Sequence, residues 1–259
     1  MKIGIRLESL GLPLRRALQS SERLGVAGVQ VDAVGDLAPD KLSQTGRREF
    51  RHLLRGHNLE LTALGCPMRR GLNVAENLDA RIEHVRKVMT QSADMGPRRV
   101  VVEAGHIAKD GELEANLLLS QSLLALGQHG DRTGTVLALE TGQESGEIMA
   151  RFLASFDTGG LGANFDPANL LIHGFDPYAS LQALGKRIVH VHVKDARQAS
   201  ASREAAEVPL GHGDIDWLKI LGLLEEVEYQ GWLTVERESG NRRPADVSEA
   251  VGFLRRLVR

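Results

Sequence analysis

Ile188-Val189-His190-Val191-His192-Val193-Lys194-Asp195 alternates apolar and polar residues, with valine and histidine taking turns from Val189 to Val193. Successive strand side chains point to opposite faces, so the pattern predicts a strand with Val189, Val191 and Val193 on one face and His190 and His192 on the other. A valine back and a histidine front make poor material for an ordinary sheet core. Two readings stay open: a strand with one wet face, or a barrel strand that carries a metal ligand near its carboxyl end. The second requires other strands to end in matching ligand types on the matching face.

Working outward, the chain offers seven more strands, at residues 2–7, 28–32, 59–64, 99–103, 135–140, 161–166 and 232–236. Helical patterns follow them at about 13–24, 40–57, 76–95, 113–128, 147–156, 177–184, 217–227 and 246–258. Pro13 suits a first helical turn. Asp40 is expected to cap the second helix, whose buried stripe is Leu42, Phe50, Leu53 and Leu54. Gly96-Pro97 stops the third. No composition break, low-complexity tract or linker interrupts the series. Eight alternating units in 259 residues predict an α/β fold, a single-domain (β/α)8 barrel over residues 1–259. A doubly wound sheet would carry a glycine-rich phosphate turn after a strand; Gly211-His212-Gly213 is only a short glycine loop.

Composition narrows the partners. With 32 basic and 34 acidic residues the net charge is −2, so no broad basic surface for nucleic acid is implied. Cys66 is the single cysteine, which excludes an internal disulfide and a cysteine-based zinc cluster. The first residues lack the apolar run of a signal peptide, and no stretch is long enough to span a membrane. The expectation is a soluble, cytoplasmic protein with neither membrane nor nucleic-acid partners; a homo-oligomer stays open.

In a barrel, active-site groups lie at the carboxyl ends of the strands. Leu137 and Leu139 face the helices, so Glu140 faces inward at the end of its strand. Asp166 does so after Leu161, Ala163 and Phe165, His192 by the opening pattern, and Glu236 after Leu233 and Val235. Four consecutive strands thus end in Glu, Asp, His and Glu on one face. Three carboxylates at one rim repel each other unless something neutralises them. A divalent cation held by Glu140, Asp166, His192 and Glu236 does so, and oxygen-rich ligation suits Mn²⁺ or Mg²⁺, with Zn²⁺ and Co²⁺ as alternatives.

Glu140-Thr141-Gly142, Asn164-Phe165-Asp166-Pro167-Ala168-Asn169, His190-Val191-His192-Val193-Lys194-Asp195, Gly211-His212-Gly213-Asp214-Ile215-Asp216-Trp217 and Val235-Glu236 together resemble the sugar phosphate isomerase/epimerase family of xylose isomerase-like TIM barrels. The resemblance covers essentially the whole chain. It implies a metal on the residues matching Glu140, Asp166, His192 and Glu236. Members include ketose 3-epimerases, hydroxypyruvate isomerases and inosose dehydratases. In the epimerases the two metal-bound glutamates lie on opposite sides of the substrate, one removing a proton beside the carbonyl and the other returning it. On that pattern Glu140 and Glu236 are the catalytic pair, and no organic cofactor is signalled.

Further candidates surround this set. Asn169, Glu103, His106, His212, Lys194 and Arg6 are expected to bind substrate, with Glu8 and Asp32 able to do likewise. His190, one layer deeper, reads as a hydrogen-bonded interior histidine. Lys194-Asp195 either pairs near the metal or begins a loop. Arg69, Arg70 and Arg237 are too scattered in sequence to make a phosphate site, and Cys66 reads as a small packing residue. The leading expectation is a divalent-metal-dependent isomerase or epimerase of a small sugar, polyol or hydroxy-keto acid. The alternative is an inosose-type dehydratase on the same site. An apurinic-site endonuclease fits less well, because it wants more histidines, and a non-catalytic sugar-binding barrel would have no need of both glutamates.

Overall fold

The staves β1 (Lys2–Arg6), β2 (Gly28–Asp32), β3 (Glu60–Gly65), β4 (Arg99–Val102), β5 (Val136–Glu140), β6 (Leu161–Phe165), β7 (Ile188–Val193) and β10 (Trp232–Val235) close into one parallel barrel. The strands between the last two, β8 (Asp195–Arg197) and β9 (Ala206–Val208), pair with each other outside it. Around the ring the neighbours run β1-β10-β7-β6-β5-β4-β3-β2. This computed structural model describes residues 1–107 and 113–258. Between staves run the helices α1 (Leu14–Leu24), α2 (Gln44–Gly56), α3 (Leu78–Met95), α4 (Leu113–Thr133), α5 (Gly146–Ala154), α6 (Pro167–Ile172), α7 (Pro177–Leu184), α8 (Trp217–Glu226) and α9 (Arg243–Leu257). Val31, Val100, Leu137, Phe165, Val191 and Leu233 are buried on the strands' outer faces. Burying such a side chain contributes about 1.5–3 kcal/mol, which is why the alternating pattern can set the register of each stave.

Two bulges reset that alternation on the barrel floor. Gly4, Gly28 and Gly162 face inward near the amino ends. A Cβ on Gly28 would come 2.6 Å from Thr62 Cγ2, and one on Gly162 would come 2.8 Å from Val189 Cγ1. The pairing of β2 with β3 slips at Val29/Gln30, leaving Thr62 as the extra residue. That of β6 with β7 slips at Ala163/Asn164, leaving Val189 extra. Val189 therefore does not share the outer face with Val191 and Val193, as strict alternation predicts. It packs inside with Ala63, Val101 and Ala138, in space the glycine leaves free.

Other departures are local. Ser43, not Asp40, caps α2: its Oγ accepts from Gly46 N at 3.1 Å, while the Asp40 carboxylate pairs with Lys87 at 2.7 Å. Leu7 leaves the first strand and opens a 3-10 turn over Leu7–Leu10. Glu103 lies just past the end of β4. Asp195 begins the small antiparallel hairpin of β8 with β9, and α6 intervenes directly after β6; neither follows from the sequence pattern.

Candidate active site

β5, β6, β7 and β10 are successive neighbours in the ring, and each delivers one acid or imidazole to the carboxyl-end rim. Single donor atoms of Glu140, Asp166, His192 and Glu236 lie within 4.8 Å of one another. That matches the span of a single coordination sphere, roughly 4–5 Å across for a hard divalent ion. His192 Nδ1 is 3.2 Å from Glu140 Oε1, 3.2 Å from Glu236 Oε2 and 4.0 Å from Asp166 Oδ2.

The imidazole is aimed from behind. His192 Nε2 lies 3.0 Å from Gln30 Oε1, which accepts its proton and leaves Nδ1 toward the acids. Asn164 Nδ2 sits 3.0 Å from Nδ1, and Asn164 Oδ1 accepts from His190 Nδ1 at 2.9 Å. His190 Nε2 in turn meets Thr234 Oγ1 at 3.0 Å. His190 is thus the hydrogen-bonded interior histidine expected, and burial holds it well below the usual imidazole range, in its neutral form. For His192, burial alone would act the same way, but the carboxylates of Glu236 and Glu140 raise it to about 10. Burial lifts Asp166 to about 7 against the pull of Lys194.

Asp166 Oδ1 accepts from Asn169 N at 2.9 Å and so caps α6. Its Oδ2 is buried without a hydrogen bond; Lys194 Nζ is 2.9 Å away but out of line for one. A buried carboxylate oxygen that lacks a hydrogen bond, beside three more anionic or imidazole donors, is the arrangement a cation fits. The residues present therefore fit a divalent ion.

The two glutamates differ in their surroundings. Both oxygens of Glu236 are engaged: Arg6 Nη1 bonds Oε1, while Lys194 Nζ at 3.0 Å and His192 bond Oε2. Burial would raise its carboxyl, but His192, Lys194 and Arg6 hold it well below the usual range. Glu140 Oε1 accepts from Asn169 Nδ2 at 3.2 Å, and its Oε2 has no hydrogen-bond partner among the described residues.

The remaining candidates separate into those at the cluster and those away from it. Lys194, expected at the substrate, is buried and claimed by Asp166, Glu236 and Glu238, the last at 2.9 Å. Arg6 is likewise held between Glu236 and Asp32, the latter at 2.8 Å, and Glu8 Oε1 accepts from Asp32 N at 2.9 Å. Asn169 orients Glu140. Asp195 accepts from the backbone N–H groups of Gly211, Gly213 and Ala196, so it staples a loop; His212, between the two glycines, is exposed and lines neither cavity beside the cluster. Arg237 is occupied by Glu207 at 2.9 Å and Asp246 at 3.0 Å. Gln30 and Glu238 are the contributors that sequence reasoning missed. Gln30 had a signal, since it shares the inward parity of Asp32.

Two small hollows adjoin the cluster. A throat of about 30 Å³ runs between Glu140 and His192 on one side and Gln30, Asp32, Cys66 and Glu103 on the other. Cys66 is buried there, and burial pushes its thiol up to about 12, an inert packing residue as expected. A rim cavity of about 220 Å³ continues past Glu103 to Arg69, Arg70, Asn73, His106 and Gln143. A hollow of about 660 Å³ lies at the opposite, amino end of the barrel around Arg99, Val136 and Tyr229, remote from all four donor groups.

Known proteins resemble the chain in sequence and in shape. An inosose dehydratase of Clostridium beijerinckii is 27% identical over 176 residues, which cover 56% of this chain and 59% of that enzyme. The matched part is therefore under two thirds of the relative's length. A xylose isomerase domain protein from Planctomyces limnophilus superposes with a TM-score of 0.88 at 25% identity, covering 99% of this chain and 96% of that one. A D-tagatose 3-epimerase-like protein shares the fold with a TM-score of 0.80 at 19% identity, covering 99% and 98%. Residues 18–257 match the family described as xylose isomerase-like TIM barrel, and the chain belongs to that family.

Proposed function

We propose that the chain is a divalent-metal-dependent enzyme that removes a proton beside the carbonyl of a polyhydroxylated ketone or hydroxy-keto acid. The observation that carries this reading is the donor cluster of Glu140, Asp166, His192 and Glu236 at the barrel's carboxyl rim. A bound cation, with Mn²⁺ the best suited and Mg²⁺, Zn²⁺ or Co²⁺ able to replace it, would supply Lewis-acid polarisation of the carbonyl. Glu140, with an uncommitted oxygen held in place by Asn169, takes the proton. Arg6 and Lys194 keep Glu236 ionised and fixed.

Within this chemistry, loss of water is favoured over isomerisation or epimerisation. Epimerisation needs two carboxylates free to exchange protons from opposite sides. Here one is open and the other has both oxygens bound. The sequence relative named inosose dehydratase supports the same choice. Incubating the Mn²⁺-loaded protein with a keto-inositol and with a panel of ketoses discriminates the outcomes by mass spectrometry and NMR. Water loss from the keto-inositol is expected; inversion of a ketose without water loss supports the epimerase instead, and inertness of every compound removes the reading.

A further inference from the structure

The donor groups occupy one arc of the barrel mouth, on β5, β6, β7 and β10; a substrate held against them at the mouth meets the other arc, β1 to β4, on its far side. The ionisable groups lining the throat from that arc are few. Arg6 and Asp32 are bonded to each other. The Cys66 thiol is buried and held protonated. Glu103 differs, because its carboxyl makes no hydrogen bond or ion pair among the described residues, and it lines both the throat and the outer cavity. Gly65 makes room for the Asp32 carboxylate, since a Cβ there would fall 2.1 Å from Asp32 Oδ1.

We propose that Glu103 is a catalytic acid that delivers a proton to the hydroxyl leaving the β-carbon, which makes the site a dehydratase. The proposal rests on the proton-abstraction reading above. Glu140 takes the proton from the carbon beside the carbonyl. The electron pair released is first held by the carbonyl as an enolate, and then forms the new carbon–carbon double bond as the carbonyl is restored and the β-carbon–oxygen bond breaks. The departing oxygen takes the Glu103 proton and leaves as water. Glu140 then loses its proton to solvent, and Glu103 is recharged from solvent through the rim cavity, so the sum is substrate to enone plus water. Glu103 is exposed on its rim side; partial loss of solvent on its inner side, with the charges of Glu140 and Glu238, holds its carboxyl above its ordinary range, which favours the form that donates. An epimerase has no departing hydroxyl and no use for a third acid on this side.

The test is the Glu103→Gln variant, Mn²⁺-loaded, with a keto-inositol in deuterium oxide. Glutamine keeps the size and removes the transferable proton. Water loss is expected to fall about 100-fold or more, the range a general acid supplies. Deuterium should still enter the carbon beside the carbonyl of recovered substrate at a rate within about threefold of the wild-type first step. Mn²⁺ affinity by calorimetry and the melting temperature should match the wild type. Undiminished water loss in the variant overturns the role of Glu103, as does loss of deuterium entry together with water loss in a variant that still binds Mn²⁺. Wild-type deuterium entry with inversion and no water loss overturns the dehydratase assignment and the role of Glu103 with it, and leaves the proton-abstraction reading standing. If the wild type neither exchanges nor eliminates, the proton-abstraction reading falls as well.

Discussion

Asn169 Nδ2 reaches Glu140 Oε1 at 3.2 Å, whereas Glu236 is gripped by a guanidinium and an ammonium; the His192 imidazole lies 3.2 Å from both glutamates. On the proposed mechanism, two residues of one type at one barrel level thus become different reagents: one keeps an oxygen free for a proton, the other serves as a fixed charge. Glu140→Gln should lower turnover about 100- to 10,000-fold, the worth of a general base. Its circular dichroism spectrum and melting temperature should stay close to wild type, since Glu140 is at the rim and the new amide can still meet Asn169. Full turnover in the Glu140→Gln variant removes the assigned role. The four donor positions were legible because each ends a strand, where parity alone decides the side. Lys194 was not, since it follows the strand on a long flexible stem, and parity does not say which carboxylates such a stem reaches.

Elements show where alternation stops being a guide. At Val189 and Thr62 the partner strand offers glycine, the extra residue turns inward, and a period-two reading goes out of step by one. The hairpin β8–β9 is stapled at its base by Asp195, a contact between residues 16 and 18 apart that no local pattern encodes. The connection from β5 to α5 carries another buried acid. Glu144 accepts from Ile107 N at 3.0 Å, and burial raises its carboxyl from 4.5 to about 7. The folded pKa lies above the unfolded one, so the native state is unpenalised below about pH 4.5. It loses stability as pH climbs through 7, because ionisation is cheaper in the unfolded chain. Glu144→Gln, which retains the acceptor, should therefore stabilise the protein by up to about 3 kcal/mol at pH 8 and by almost nothing at pH 4.5. Urea titrations at the two pH values check this, and an equal effect at both would disprove the buried ionisation.

At the scale of the molecule, the count of eight strand–helix units was enough to predict closure, since short connections and parallel pairing leave few other ways to cover both faces of each strand. What the count does not reveal is how the mouth tolerates its acids. The Lys194 ammonium, buried against Asp166 and Glu236, is a counter-charge supplied by the polypeptide itself. On the proposed reading the barrel accordingly matures in two stages, adopting its shape first and recruiting an ion afterwards, unlike small domains whose collapse waits for the metal. Chelator-treated protein should still melt cooperatively, with Mn²⁺ at 100 times its dissociation constant adding about 2.7 kcal/mol, or roughly 5–10 °C. Lys194→Met should make shape itself depend on ion supply: removing one partner of a buried pair costs about 3–5 kcal/mol, and added Mn²⁺ should recover much of it. A chain so equipped can survive scarcity of its ion as a folded, waiting scaffold, and its output would then follow how much ion is at hand rather than how much protein is made.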